Sequence, residues 1–239
     1  MLRKGIICRV VMLTSVLLIF GAYVLGSLPV VYLIGRSRGY DLRQEEDMHL
    51  SLWRKVGHTE GFIGILWELL KGAGVVLFAR FVMDMDEWNV ACAGLAAVIG
   101  QMWAVFEGFR GEKGNSTGFG MMAVLAYQAI PFVLIPVLTG VIIKVTASLR
   151  QSDKSINDRI QFSGVATRAM PLGMVTGFIV FPLASWALHL GTWISLVGLA
   201  LLLLILVKRV TAGLTEDLSS ATDKKSIIIN RLLYDRSYK

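Results

Sequence analysis

The sequence predicts an all-α fold, a polytopic integral membrane protein with about seven transmembrane helices. Three observations carry that prediction. Hydrophobic residues make up 55% of the 239-residue chain and charged residues only 17%, against about a quarter charged in soluble domains. The mean hydropathy is +0.63, and the apolar residues fall in long runs that reach or approach the ~20 residues a helix needs to cross a bilayer. Basic residues, finally, collect in alternate loops between those runs.

The first run, Val11–Ile34, is too long for a signal-peptide core and lacks a small-residue cleavage pattern, so it reads as a true span. Gly61–Met83 and Val90–Phe106 are the second and third. Phe119–Ile130 is shorter and reads as a partial or tilted span ahead of Pro131. Pro131–Ala147, Pro171–Leu188 and Thr192–Val207 complete the set, with Pro131, Pro136, Pro171 and Pro182 placed where they kink helices. Residues 1–209 are thus one membrane domain, and residues 210–239 a cytoplasmic C-terminal tail.

Charge gives the orientation. Arg36, Arg38, Arg43, Arg54 and Lys55 fill the first loop, Arg110 and Lys113 the third, and Arg150, Lys154 and Arg159 the fifth; Lys208, Arg209, Lys224, Lys225, Arg231 and Arg236 crowd the C-terminus. The turns Asp84-Met85-Asp86-Glu87 and His189-Leu190-Gly191 carry no Lys or Arg. This alternation predicts cytoplasmic basic loops and C-terminus, with the N-terminus outside. Arg3, Lys4 and Arg9 run against that N-terminal placement. The net charge of +7 therefore reflects membrane topology, and no nucleic-acid partner is expected. Cys8 and Cys92 are lone thiols in apolar sequence, from which neither a disulfide framework nor a metal site follows.

One turn stands out chemically. Gly108-Phe109-Arg110-Gly111-Glu112-Lys113-Gly114-Asn115-Ser116-Thr117-Gly118 combines turning glycines, two cations and residues able to cap the next helix. Backbone N–H groups, side-chain charge and a helix N-terminus together suit phosphate. Short basic Gly-rich turns are also ordinary cytoplasmic connectors, so the turn alone leaves both readings open. Inside the second span, Glu68 and Lys71 lie three residues apart. They share a helix face and are expected either to neutralise one another or to line a polar cleft. Gly72 and Gly74 predict close approach of another helix. In the first loop His49 and Ser51 have the makings of a base and a nucleophile, but a solvated loop accounts for them more simply; Arg54 is suited to bidentate phosphate binding. No zinc spacing, nucleotide P-loop or serine-hydrolase elbow occurs.

These motifs together resemble the PlsY-type glycerol-3-phosphate acyltransferase family. Ala22-Tyr23-Val24-Leu25-Gly26-Ser27-Leu28-Pro29 and Gly39-Tyr40-Asp41-Leu42-Arg43 are similar to its opening. Arg54-Lys55-Val56-Gly57 resembles its Arg-x-x-Gly step, and Glu68-Leu69-Leu70-Lys71-Gly72 its Asp-x-x-Lys-Gly. Gly100-Gln101-Met102-Trp103-Ala104-Val105-Phe106 through Phe109–Thr117 is similar to its Gly-His…Phe-Lys-Gly-Gly-Lys-Gly block. Order and spacing agree over Ala22–Gly120, about half the chain.

Several positions depart from the family pattern. The interval Gln44–Trp53 is short, has no glycine and keeps only Ser51 of a Ser-Gly-Asn loop. Gln101 replaces a histidine, and Glu112 a glycine. Ile229-Asn230-Arg231-Leu232-Leu233 resembles a C-terminal motif, yet registering on Arg231 puts Lys225 and Ile228 where the family has His and Asn.

The resemblance implies acyl transfer from acyl-phosphate to the 1-hydroxyl of glycerol-3-phosphate, giving lysophosphatidic acid in phospholipid biosynthesis at the cell (inner) membrane. It implies no metal or nucleotide cofactor, because the donor is already activated, and a monomer in membrane lipid. The substrate's own phosphate would help deprotonate the attacking hydroxyl. Arg54 and Lys113 would be the catalytic phosphate-binding cations. Gly111 and Gly114 would give backbone donors, with Ser116 and Thr117 beside them; Lys71 would extend the positive cleft, and Glu68 would orient Lys71 or stabilise the fold. Ser163 or Thr167 would contact phosphate at the start of the sixth span. The departures raise a second reading, a non-catalytic or altered-substrate paralogue that binds phosphate or lipid. A transporter would instead show broken mid-membrane helices or repeat symmetry, and neither is visible.

Overall fold

Backbone polar groups inside a bilayer must be satisfied within their own segment, so the apolar runs become helices. The computed structural model describes residues 2–43, 45, 48–149, 168–214, 217 and 224–235. Its helices are α1 (Leu2–Gly26), α2 (Val30–Ser37), α3 (Met48–Lys55), α4 (His58–Leu77), α5 (Glu87–Met102), α6 (Asn115–Leu125), α7 (Ile130–Leu149), α8 (Ala169–Ala187), α9 (Thr192–Thr211) and α10 (Lys224–Tyr234). They divide into two compact units, Met1–Leu125 and Ala126–Lys239.

Among the described residues six segments are long and apolar enough to cross a membrane: Val11–Ser37, His58–Val82, Glu87–Glu107, Tyr127–Ala147, Ala169–Ala187 and Thr192–Thr211. The expected seventh, Phe119–Ile130, is divided between α6, which stops at Leu125, and the start of the next span. Eleven helical residues rise only about 16 Å, roughly half of a bilayer's apolar core.

In the first unit α1 packs on α5, and α4 packs on α6, α5 and α3. The contacts are made where glycine removes the side chain. A Cβ at Gly26 would run into the Ala97 carbonyl and one at Gly100 into the Tyr23 carbonyl, so α1 and α5 meet backbone to backbone. Gly72 and Gly120 do the same for α4 and α6, against the carbonyls of Thr117 and Leu69. Gly74, expected to join Gly72 in such a contact, faces open space; it lies on the other side of the helix.

Pro29 separates α1 from α2. It has no N–H and disfavours the α conformation at Leu28, leaving carbonyls at the end of α1 without helical donors. The acidic turn before α5 is a built cap. Asp86 Oδ1 accepts from the backbone N–H groups of Trp88 (3.1 Å) and Asn89 (3.2 Å). Chiefly through the Asn89 side chain, and then these N–H groups, its carboxyl is held below the usual range.

In the second unit α8 lies between α7 and α9. Cβ atoms at Gly140 and Gly173 would run into the Ala169 and Pro136 carbonyls. Pro136 and Pro182 lie inside helices, whereas Pro131 and Pro171 fall in first turns, where a missing N–H costs little. α10 packs on α8 and α9. Buried Arg231 donates from Nε to Asp217 Oδ2 (3.0 Å) and from Nη1 to the Ala212 carbonyl. Buried Arg209 reaches the Pro171 carbonyl (3.4 Å) and the Leu232 carbonyl (3.3 Å). In the C-terminal motif Lys225 and Ile228 are exposed, and Asn230 Nδ2 turns to Ser226 Oγ (3.4 Å).

Candidate active site

The polar residues of the first unit converge on Gln101. It sits in the last turn of α5, buried, and both ends of its amide are used. Gln101 Nε2 donates to Glu68 Oε1, while Lys71 Nζ donates to Gln101 Oε1. Thr117 Oγ1 in α6 donates to the same oxygen at 3.2 Å. Lys71 also donates to the carbonyls of Gly26 (3.1 Å) and Leu28 (3.4 Å), the groups exposed by the break at Pro29. Lys71, Glu68 and Thr117 are all buried. An ammonium taken out of water needs acceptors around it, and the broken helix supplies them.

Glu68 and Lys71 do not pair directly; Gln101 stands between them. Among the described residues the ion-pair partner of Glu68 is His49, Nε2 to Oε2 at 2.7 Å. His49 is not in a solvated loop, as its polar surroundings suggested. It lies in α3, which settles flush on α4 because Gly61 and Gly64 leave room for Trp53 and Leu52. The apolar anchors Val31, Leu42 and Leu52 are buried together beneath it. Ser51 is turned away from His49 and donates to Glu45 Oε2 at 2.8 Å. No base–nucleophile pair forms.

The glycine-rich turn reaches the same place. It begins with two left-handed residues, Gly108 (φ 61°) and Phe109 (φ 64°). Gly111 lies on the backbone of α5, where a Cβ would meet the Gln101 carbonyl. Gly114 has φ +73°, and a Cβ there would meet the Met102 side chain. Pinned at these glycines, the turn brings Glu112 Oε2 to 2.6 Å from His49 Nε2. Burial alone would lower the His49 pKa, but the charges of Glu112 and Glu68 outweigh it and hold the imidazole protonated well above its ordinary value. A narrow crevice lined by Ser27, Leu28, Trp67, Lys71, Gln101 and Glu112 opens onto the cluster.

The other expected site residues are placed less centrally. Lys113 is half-buried in the turn and Arg54 exposed near the end of α3; both already engage other groups. Ser116 is half-buried in the first turn of α6. Ser163 and Thr167 lie outside the described residues. Sequence reasoning missed Gln101 as the hub, and His49 and Glu112 as its neighbours. Buried polar residues inside apolar runs are the signal that marks such a hub, and Gln101 carried it.

The family described as glycerol-3-phosphate acyltransferase matches residues 16–157. A glycerol-3-phosphate acyltransferase of Geobacter metallireducens is 37% identical over 122 residues, 50% of this chain and 62% of that protein. One of Rubrobacter xylanophilus is 39% identical over 115 residues, 47% of this chain and 57% of that protein. The chain thus covers about three fifths of the curated relatives it matches. The crystal structure of PlsY (YgiH) in its glycerol 3-phosphate form superposes with a TM-score of 0.64 at 22% identity, covering 86% of this chain and 92% of that one. The lysophosphatidic acid form gives 0.63 at 21%, with the same coverage. That likeness carries the fold, a multi-pass membrane protein. The match over more than half the sequence, spanning every element that meets at Gln101, carries the family: this chain belongs to the glycerol-3-phosphate acyltransferases.

Proposed function

We propose that this protein transfers an acyl group from acyl-phosphate to the 1-hydroxyl of glycerol-3-phosphate, releasing lysophosphatidic acid and inorganic phosphate. The observation that carries the reading is the family match over residues 16–157, which includes the basic glycine turn and buried Lys71. The hydroxyl oxygen attacks the acyl carbon, the acyl–phosphate C–O bond breaks, and the proton leaves with phosphate. Arg54 and Lys113 hold phosphate oxygens, with Gly111, Gly114 and Ser116 lending donors at the headgroup level. Lys71 contributes positive field, while Glu68 and Thr117 fix it through Gln101. Ser163 is a further phosphate contact. The chain works as a monomer in the inner membrane, in contact with its lipid, with residues 1–209 as the acyltransferase-like domain. Residues 210–239 form its C-terminal tail, on the cytoplasmic side.

A specific feature favours the second reading, a paralogue that binds phosphate or lipid without turnover. Gln101 stands where the family resemblance implies a histidine and is held at both ends, and Glu112 adds negative charge beside the turn. One assay separates the two. Purified protein in detergent, given glycerol-3-phosphate and palmitoyl-phosphate, should yield lysophosphatidate and inorganic phosphate in equal amounts. Retained glycerol-3-phosphate binding with no product would establish the paralogue reading instead.

A further inference from the structure

We propose that His49 is a positioning residue for the basic glycine turn: its imidazole clamps Glu112, and with it the turn, to α3 and α4. What the turn holds rests on the acyl-transfer reading; the clamp itself does not. His49 Nε2 stands 2.7 Å from Glu68 Oε2 in α4 and 2.6 Å from Glu112 Oε2 in the turn. The turn is fitted to α5 at Gly111, against the Gln101 carbonyl, and at Gly114, against Met102 and Val98. Glu112 lies between those glycines and ties the turn to α3 as well. α3 carries Arg54 five residues beyond His49, and Lys113 follows Glu112. One ion pair therefore helps set the spacing of the two cations assigned to phosphate. A displacement of about 1 Å is enough to spoil such an arrangement.

The clamp holds while the ring is charged. Burial pulls the ring toward neutrality, but the charges of Glu112 and Glu68 overcome it, and His49 keeps its proton well above the ordinary imidazole range. Among the described residues Nδ1 has no hydrogen-bond partner, so it is the two carboxylates that retain the proton. The other charged groups around α3 are directed elsewhere. Lys71 of α4 donates to Gln101 and to the carbonyls of Gly26 and Leu28, and Glu60 of α4 pairs with Arg38. Glu107 lines the same crevice and adds to the negative side. On α2, Tyr32 accepts from Arg36 at its hydroxyl (3.3 Å) and carries Arg43 over its ring (4.5 Å). Glu45 takes Ser51 and Lys55. Deprotonation turns attraction into repulsion. The facing atoms of His49, Glu68 and Glu112 lie within 4.8 Å of one another, so a neutral ring leaves two carboxylates opposed with little water between them. Because the folded-state pKa is raised, the clamp is complete below the ordinary imidazole value and is lost as pH rises through the raised one. A ring that keeps its proton in this way is a poor base, so His49 shapes the site without taking the substrate's proton.

Two readouts on full-length protein in detergent test the clamp, and the first needs no substrate. Trypsin cuts a released turn after Arg110 and Lys113 and a clamped one slowly. Cleavage at these sites is followed by mass spectrometry from about pH 7 to about pH 10, relative to a small trypsin substrate at each pH. Wild type should be cut about tenfold more slowly than His49→Gln at the neutral end, the scale of one charge-assisted hydrogen bond, and should converge on it at the alkaline end. Glu112→Gln, at the edge of the cluster, makes the same comparison without a change in the ring. It should be cut faster than wild type at neutral pH, with a flat profile, because both the attraction and the repulsion need the Glu112 charge. Glycerol-3-phosphate titrated by calorimetry over the same range should bind wild type about tenfold more tightly than either variant at the neutral end, with the difference vanishing at the alkaline end. Lys113 and the substrate phosphate titrate in all three proteins alike, so the difference belongs to the clamp. Equal cleavage of all three at neutral pH, a variant that keeps the wild-type pH profile, or equal glycerol-3-phosphate affinity in all three would each overturn the proposal. The expected cleavage with no glycerol-3-phosphate binding by any of them would overturn the acyl-transfer reading and leave the clamp in place.

Discussion

Gln101 is where a single residue decides most. Its amide offers a donor to Glu68 and an acceptor to Lys71 and Thr117, so one neutral side chain satisfies a buried anion and a buried cation together. Gln101→Met keeps the volume and removes both functions. The expected cost is about 2–4 kcal/mol, the penalty for stranding buried charged groups, read as a lower unfolding temperature in detergent. An unchanged midpoint would mean that water takes over both bonds. Lys113 makes the functional counterpart. Lys113→Ala should weaken glycerol-3-phosphate binding about tenfold, the scale of one charge-assisted hydrogen bond, whereas Lys224→Ala on exposed α10 should leave it unchanged. Equal effects from the two would reduce the basic turn to a connector.

At the scale of elements, the helices that frame the site approach through glycine. Gly72 and Gly74 make an internal comparison, since they lie on one helix two residues apart and differ in what faces them. A Cβ at Gly72 meets the Thr117 carbonyl, and one at Gly74 meets nothing within 4 Å. Gly72→Ala should therefore push α4 from α6, cost about 1–3 kcal/mol and disturb binding at Thr117's neighbours. Gly74→Ala should be neutral or stabilise by up to about 1 kcal/mol, as expected when a helical glycine is replaced without a clash. Thermal unfolding of the pair decides it; equal losses would mean that α4 and α6 do not touch as described. This contrast also marks how far sequence reasoning reached. Small residues in a span announced a close contact, but which glycine makes it depends on how α4 is rotated about its axis, and only a neighbour fixes that. His49 and Glu112 were illegible for the same reason. Each is an ordinary polar residue in its own segment and acquires meaning only when Gly61, Gly64 and Gly111 allow α3 and the turn to close on α4 and α5.

For the whole molecule, hydropathy and charge are summed over many residues, and that is why fold class was legible when the site's details were not. Each span gathers some twenty small preferences of one sign, while the polar cluster rests on a handful of contacts among distant elements. The one span that departed from expectation, Phe119–Ile130, was also the one with the shortest apolar run, and its α6 portion covers about half the bilayer core. Topology tests whether that short segment still carries the chain across. With α6 counted as a crossing, the basic loops and the C-terminus fall on one side and the acidic turn Asp84–Glu87 on the other. If α6 instead turned back, everything after it would be inverted, placing Lys208 and Arg209 at the end of α9 on the same side as Asp84–Glu87. Concentrating these cations and those of α10 outside would oppose the rule that governs the first half of the chain. Reporter fusions after Lys239 and within Asp84–Glu87 should therefore report opposite sides of the membrane. Same-side signals would mean that α6 is re-entrant, and the cytoplasmic placement of the C-terminus would be lost with it.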